Sequence, residues 1–526
     1  MRSSAALAAA GALALTLAAC GSGGTATGGG AADGGTFVMV LPADPGNLDP
    51  HFTSLSSAFQ VGQFLYDSLV DIDEKGEMVA GLAEKWEATT TTATYTLREG
   101  VTCSDGTPLT ASDVAANISF VGDTRNASTR VGIFVPPGAS ATGDDAARTV
   151  TVTSPVPDAF LSRTVGGLQI VCPKGMADRS LLARGAVGSG MYTMTEAVPG
   201  DHYTLTRRPE YAWGPGDWRP DQPGLPDKVV LRVVANETTA ANLLASGEVQ
   251  AAAVLGPDRQ RLQGMGLFVR DALAPAGELW FNQEAGRPTA DPAVRRALTQ
   301  ALDLGQLGQV LTSGAGLPSS GLVSTGRGPC STGGVAANLP ALDLDAARAG
   351  LDAAGFPAGP DGVRTRDGRR LSMSVFYPTS VLPGMQATAE LLQQAWAAVG
   401  VDVTLRGGAD AETGQLVSGQ ADWDAAFIPL SVSLPSQLVP FLSGPTPPGG
   451  TNFAHIQNAG YTAEAQAAAA IPGSDGCDRW AEAERELLRN VDVVPFADAT
   501  RPVFGRGVTF ELSDGSVAPA TIRFTG

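Results

Sequence analysis

Lysine is nearly absent, standing only at positions 75, 85, 174 and 228, so arginine supplies most of the 35 basic residues set against 53 acidic ones. The formal net charge is -18 and the isoelectric point lies near 4.6. Phosphate backbones are held by clustered Lys and Arg, so this balance argues against a nucleic-acid partner. Histidine is scarcer still: His51, His202 and His455 are the three, with no i,i+4 pair to hold nickel or another transition metal. Beyond the N-terminus no segment approaches 18 uncharged apolar residues, so nothing there reads as a membrane span. Catalytic signatures are missing too: there is no G-x-S-x-G elbow, no H-E-x-x-H and no G-K-[ST] phosphate loop. Carboxylates are plentiful, but sequence alone does not pair them as acid and base. The expectation is a protein that is not an enzyme and carries no cofactor and no metal.

What is present is a large folded body. Of 526 residues 43% are hydrophobic, enough to bury a core and to exclude disorder, and the length suits two to four domains. Met1 and Arg2 form a short positive start, and residues 5–19 run without charge, too short to span a bilayer. Residues 1–19 read as a signal peptide. The run closes on Leu17-Ala18-Ala19-Cys20, which resembles the lipobox of bacterial lipoproteins, where the Cys sulfur is lipidated and the chain is cut before it. Residues 20–35 are Gly, Ser, Thr and Ala with one charge, a flexible tether. Four further cysteines remain, Cys103, Cys172, Cys330 and Cys477, an even number that suits disulfides in an oxidising compartment. Three pairings are open, and a zinc site is disfavoured because there is no CxxC and the spacings are wide.

Along the body, helices and strands mix, giving an α/β or α+β class with no internal repeat. Residues 36–41 read as a buried strand ending at Pro42, Pro45 and Gly46. Residues 58–70 carry Val61, Phe64, Leu65 and Leu69 at helical spacing. Thr110 and Asp113 form a capping box for a helix with Val114 and Ile118. Residues 228–234 and 251–255 read as strands, and residues 278–282 open the second half. Asp291-Pro292 starts the best helix, an N-cap acid followed by Pro at N1. Helices are also expected from Asp343 or Asp345, over 384–399 ending at Gly400, and over 480–488, before a late strand at 493–496.

One stretch is specific. Gly81-Leu82-Ala83-Glu84-Lys85-Trp86-Glu87, then Thr94-Tyr95-Thr96-Leu97-Arg98-Glu99-Gly100-Val101, then Ser104-Asp105-Gly106-Thr107-Pro108-Leu109-Thr110-Ala111-Ser112-Asp113-Val114, resembles the signature of family 5 extracellular solute-binding proteins. These are the peptide- and nickel-binding lipoproteins of ATP-binding-cassette (ABC) importers. Other family landmarks follow in order: Asn47-Leu48-Asp49-Pro50, Leu65-Tyr66-Asp67-Ser68-Leu69-Val70, Gly188-Ser189-Gly190-Met191-Tyr192, and the 291–303 helix. The resemblance covers about residues 36–526.

It implies an α/β, two-lobed clamshell of the periplasmic-binding-protein kind (class II, with an extra inserted subdomain). Lobe I takes 36–70, 185–274 and 490–526; the inserted subdomain takes 71–184; lobe II takes 275–489. The lobes connect near 272–278 and again near 488–495. On that map Cys103–Cys172 and Cys330–Cys477 are the preferred pairs, because each stays inside one segment. The implied partners are ABC permease subunits, a small solute such as an oligopeptide, and a membrane reached by the lipid anchor, with no nucleic acid and a monomeric body. The implied place is the outer face of the cytoplasmic membrane, and the implied mechanism is closure of the lobes on the solute.

The candidate ligand contacts are His51 and Phe52 after the Asn47–Pro50 turn, Trp280 beyond the expected hinge, Trp423, Phe427, Ser431 and Ser433 on a lobe II segment, and Asn452, Phe453 and His455 after a Pro/Gly-rich stretch. Trp86 and Tyr95 are expected in the core. One departure matters. Peptide-binding relatives often carry an Asp after the Trp-rich segment that pairs with the peptide's ammonium, yet residues 428–441 contain no acid and no base, and Asp424 is expected to be structural. A polar, uncharged or capped ligand, or a modified peptide, is therefore open. The rival reading is a sensing or scaffold lipoprotein on the same fold.

Overall fold

The computed structural model describes residues 34–525, apart from Ser54, Ala186, 325–327, 331–333 and Ser380. The expected signal peptide at 1–19, Cys20 and nearly all of the expected tether at 20–35 lie outside the described residues. No helix among those described is long and apolar enough to cross a membrane.

One ten-stranded mixed sheet runs through the body. Its order is Asp402–Gly408, Ser372–Pro378, Ala425–Phe427, Phe268–Phe281, Val493–Gly505, Ala251–Ala253, Thr36–Leu41, Lys228–Val233, His202–Arg207 and Tyr192–Val198. Thr36–Leu41 pairs parallel with Lys228–Val233, and both are apolar on alternate residues that enter the core. At the other end, Ser372–Pro378 pairs parallel with Asp402–Gly408. The helix Met385–Ala397 connects them as a crossover, and its Trp396 is fully buried.

Between these ends lie two long antiparallel strands, Phe268–Phe281 and Val493–Gly505. Of this pair the sequence reading gives only the late strand at 493–496, which is the start of Val493–Gly505. Pro275, Pro495, Asp498, Arg501 and Pro502 interrupt the apolar pattern and hide their true length. Their register slips between Pro275 and Gly277 and again before Glu278, opposite 495–498. A bulge there bends the ribbon and sharpens its twist. Separate hydrophobic cores form beyond each end. One holds Phe37, Leu231, Tyr192 and Val503; the other holds Leu298, Trp396, Phe427 and Phe496.

A second, four-stranded antiparallel sheet, in the order Ala83–Ala88, Thr92–Leu97, Thr149–Thr153, Ser140–Asp144, is built from the signature region. The helix Ala111–Gly122 lies on it, started by the expected capping box: Thr110 Oγ1 accepts the Asp113 N–H and Asp113 accepts the Thr110 N–H. Gly143 lets the helix approach, since a Cβ there would lie 2.3 Å from the Ala111 carbonyl carbon. Tyr95 is buried and donates to the Ser162 carbonyl at 2.8 Å, so the signature is core architecture. Gly188 and Gly190 are packed against the end of the helix Ser56–Leu65; a Cβ on Gly188 would sit 1.9 Å from the Leu65 oxygen. That helix ends at Leu65 and does not reach 70 as the spacing suggested, because the next residues turn into the strand Val70–Ile72.

The helix Pro292–Gln300 is fixed to the ribbon by a buried ion pair. Arg295 donates to Asp492 at 2.9 Å and to the carbonyls of Val491, Asn490 and Thr289. Asn458, Gln283 and Asn490 complete the shell around the Asp492 carboxylate. Removing one partner of such a pair leaves a buried charge and costs about 3–5 kcal/mol.

The cysteines pair as Cys103–Cys172 and Cys330–Cys477, separated by 69 and 147 residues. Loop closure scales with the logarithm of length, so each bridge contributes about 4–5 kcal/mol through the unfolded chain, the longer by under about 1 kcal/mol more. Double Cys→Ser variants of each bridge, followed by denaturant unfolding, should therefore lose similar stability. A bridge whose removal costs nothing contradicts this account.

Candidate functional site

The candidate residues fall into two groups. The first sits where the loop after Thr36–Leu41 meets the signature region. Asp49 accepts from Arg179 at 2.5 and 2.8 Å and caps the His51 N–H at 3.0 Å. His51 is fully buried, stacked on Phe120, with Nε2 3.2 Å from the Gln169 carbonyl. A carbonyl only accepts, so Nε2 carries the proton and Nδ1 has a lone pair with no partner. Burial, with Arg179 beside it, pushes the imidazole down to about 3, so it stays neutral. Phe52 is half-buried under the Arg179 guanidinium. Arg130 is buried over the Phe59 ring; its Nε donates to the Pro50 carbonyl and its Nη2 has no partner.

The second group lies on the far half of the sheet. Trp280, Trp423 and Phe453 form one buried aromatic cluster, with ring centroids 4.9 Å apart for Trp280–Phe453 and 5.9 Å for Trp423–Phe453. Asn452 is spent on its own loop: it accepts from the Ile456 N–H and donates to the Gly444 and Ile456 carbonyls. His455 is half-buried at positive φ (55°), Ser433 is half-buried, and Ser431 is exposed. Phe427 is a correction to the expectation. It points to the opposite face from Trp280, into the core, edge-on to Phe496 and with no accessible surface. The period of two along Ala425–Phe427 puts Ala426 with Trp280 and sends Phe427 the other way.

Few polar contacts join the two groups' surroundings. Gln437 Nε2 reaches the Ile133 carbonyl at 3.4 Å, and the Gly473 N–H reaches the Ala159 carbonyl at 2.7 Å. Phe160 stacks on Trp480 at 6.5 Å. Gln437 also holds the candidate loop from behind, its Oε1 accepting the N–H groups of Ser433 and Leu434. Two cavities lie elsewhere. One of about 470 Å³ runs along Leu304, Gly308, Leu317, Leu339, Pro495 and Phe496; one of about 70 Å³ is bounded by Asp67, Asp71, Tyr211 and Trp213. Neither is lined by a candidate residue.

The charges at the ribbon were not singled out from the sequence. Glu278 and Asp498 flank the register break, both buried, and Arg501 lies half-buried further along. Burial lowers Arg501, and no ion pair to its guanidinium exists among the described residues. Asp498 accepts from the hydroxyls of Ser319 and Ser320. Glu278 Oε2 accepts from the Leu430 N–H and the Trp280 indole N–H, while Oε1 has no partner. The only sequence signal was an acid opening an otherwise apolar Glu278-Leu279-Trp280-Phe281 run.

Burial pushes the Glu278 carboxyl up to about 8 from an ordinary 4.5, with Asp498 and Glu484 adding to the rise. Between those values the folded chain holds a proton that the unfolded chain has released, so stability falls as pH rises through the window. Glu278→Gln should flatten the fall in melting temperature between pH 5 and 8. An unchanged slope in the variant rules Glu278 out as its source.

The comparisons with known proteins agree on a family. The sequence profile described as bacterial extracellular solute-binding proteins, family 5 Middle, matches residues 77–446. Protein XP55 of Streptomyces lividans is 31% identical over 371 residues, covering 66% of this chain and 63% of that protein. The glutathione-binding protein GsiB of Escherichia coli K12 is 25% identical over 292 residues, 54% of this chain and 56% of that protein. The matched stretch thus spans less than two thirds of either curated relative. Among solved structures, a substrate-binding protein from Microbacterium hydrocarbonoxydans complexed with 4-hydroxybenzoate hydrazide is similar at a TM-score of 0.77 and 26% identity. It covers 93% of this chain, and all of that chain is matched. The oligopeptide-binding protein AppA of Bacillus subtilis, in complex with a nonapeptide, shares the fold at a TM-score of 0.77 and 17% identity, over 94% of this chain and all of that one.

Proposed function

The chain belongs to the bacterial extracellular solute-binding proteins of family 5, and from that premise we propose that it captures a small polar or peptide-like solute between two lobes and hands it to an ABC permease. The observation that carries this reading is the ribbon of Phe268–Phe281 and Val493–Gly505. It joins two bodies with separate cores and breaks its register midway. A paired ribbon transmits a bend without losing its hydrogen bonds, which suits opening and closing about one axis. Lobe I is 36–70, 185–274 and 490–526, the inserted subdomain 71–184, and lobe II 275–489, with the hinge at the register break.

The solute lies under the contacts from Gln437 to Ile133 and from Gly473 to Ala159, which form only when the lobes meet. Its binding shifts the open–closed equilibrium by its differential affinity for the two states. Phe52, Ser431, Ser433 and His455 keep surface available for contact. The buried Trp280, Trp423, Phe453 and Asn452 hold that wall in shape, and His51 orders the facing loop. Lipidation at Cys20 tethers the monomeric body to the outer face of the membrane and raises its concentration near the permease. The chain performs no catalysis in this role. The relatives' ligands, glutathione in one and an aromatic hydrazide in another, support a small polar solute.

A thermal-shift panel on the full chain tests this, with di- to hexapeptides, N-capped peptides, glutathione, 4-hydroxybenzoate hydrazide and nickel chelates. A solute at 100 times its Kd adds about 2.7 kcal/mol, so at least one class should raise the midpoint by a clear margin. Silence across the panel counts against solute capture and favours a sensing or scaffold role.

A further inference from the structure

Phe160 and Leu161 are neighbours in the chain but belong to different cores. Leu161 lies in the core that holds Tyr95, Val150 and Val165, within the body of the four-stranded sheet. Ala159 and Phe160 lie in the cluster of Trp480, Trp280, Phe453 and Leu438, on the far half of the large sheet. Phe160 is 4% exposed, and its ring stacks on Trp480 with centroids 6.5 Å apart and planes 29° apart. The Ala159 carbonyl accepts the Gly473 N–H at 2.7 Å. A two-residue tip carried by one body is thus seated in the other, and its ring joins no core of the body that carries it.

Both sides of the contact are held stiff. The tip ends an arm, Ser154-Pro155-Val156-Pro157-Asp158, in which two prolines fix φ. The Ser154 and Asp158 N–H groups donate to the Thr91 and Thr90 carbonyls at 2.8 Å, clamping the arm to the turn between Ala83–Ala88 and Thr92–Leu97. The Asp158 carboxylate accepts the Phe160 N–H at 2.9 Å and the Thr164 hydroxyl at 2.7 Å, which fixes the direction of the tip. On the receiving side, Trp480 is buried in the helix Cys477–Arg489, whose first residue is bridged to Cys330. Parting the two bodies therefore strips Phe160 of its apolar partners while leaving each side's own framework in place.

We propose that Ala159–Phe160 is a latch for closure: docking of Phe160 against Trp480 stabilises the closed arrangement and, through it, bears on the affinity for every solute by one common factor. The inference rests on the solute-capture reading above and adds to it what holds the lobes together. Phe160 is a positioning residue and does not touch the solute. A solute that binds the closed form has an apparent Kd set by the closed fraction, and that fraction is the same whichever solute is offered.

The test uses the full chain as wild type, Phe160→Ala and Phe160→Leu. Hydrogen exchange without solute reads the opening directly, because the Gly473 N–H loses its acceptor when the bodies part. Removing an aromatic ring that is buried only in the closed form predicts exchange at Gly473 about tenfold faster or more in Phe160→Ala, with Phe160→Leu between that and wild type. Exchange at Leu487 and Leu488, inside the receiving helix, should not change; if it does in Phe160→Ala, Phe160→Leu decides. Calorimetric titration with trialanine and with glutathione then separates a latch from a contact. The latch predicts the same fold-change for both, no larger than the factor seen at Gly473. A loss that differs more than about threefold between the two makes Phe160 a solute contact and overturns the latch. Unchanged Gly473 exchange in both variants also overturns it, and leaves solute capture intact if the probes bind. Faster Gly473 exchange in a chain that binds nothing in the wider panel keeps the latch and removes the capture reading.

Discussion

Two neighbouring strands constrain this molecule. Phe268–Phe281 and Val493–Gly505 run side by side through the centre of the large sheet, so every other strand takes its place outward from them. Because they pair with each other along most of their length, each satisfies the other's backbone groups where the chain passes twice between the two bodies. The register slip at Pro275–Glu278 interrupts that pairing at one place only. A β-bulge is a local bend with a fixed twist, and here it falls between two cores that otherwise pack independently.

Two buried polar groups beside the same ribbon are treated in opposite ways. The Arg295–Asp492 pair is saturated: six residues besides the two ions donate to or accept from it, and it fixes the helix Pro292–Gln300 to the start of Val493–Gly505. Glu278, just past the bulge, is left with one oxygen idle. A saturated network adds rigidity, while an idle buried oxygen is costly.

Much of the fold was legible in the sequence, for identifiable reasons. Strands and helices with a single chemical character were read close to their ends: Thr36–Leu41 and Lys228–Val233 by apolar runs, Ala111–Gly122 by its capping box, Pro292–Gln300 by Asp291 and Pro292. The disulfides followed once the segments were known. The ribbon was not legible at full length, because prolines and charges break its pattern, and those are the residues that serve the bend. The site was the least legible. Trp280, Trp423 and Phe453, read one by one as candidate contacts, gather into one buried cluster. Phe427 was misassigned by face, since one residue of phase decides which side of a sheet a side chain joins. Glu278 gave almost no signal, because an acid at the start of an apolar strand looks like a surface residue until the loop from 428 is folded over it.

The central claim is that solute draws the two bodies together about the register break. Small-angle X-ray scattering of the full chain, with and without the solute that most raises its melting temperature, tests it directly. The account predicts a smaller radius of gyration in the bound protein and a scattering curve that fits a closed body joined at Gln437–Ile133 and Gly473–Ala159. Identical curves in the two states, at saturating solute, would contradict it.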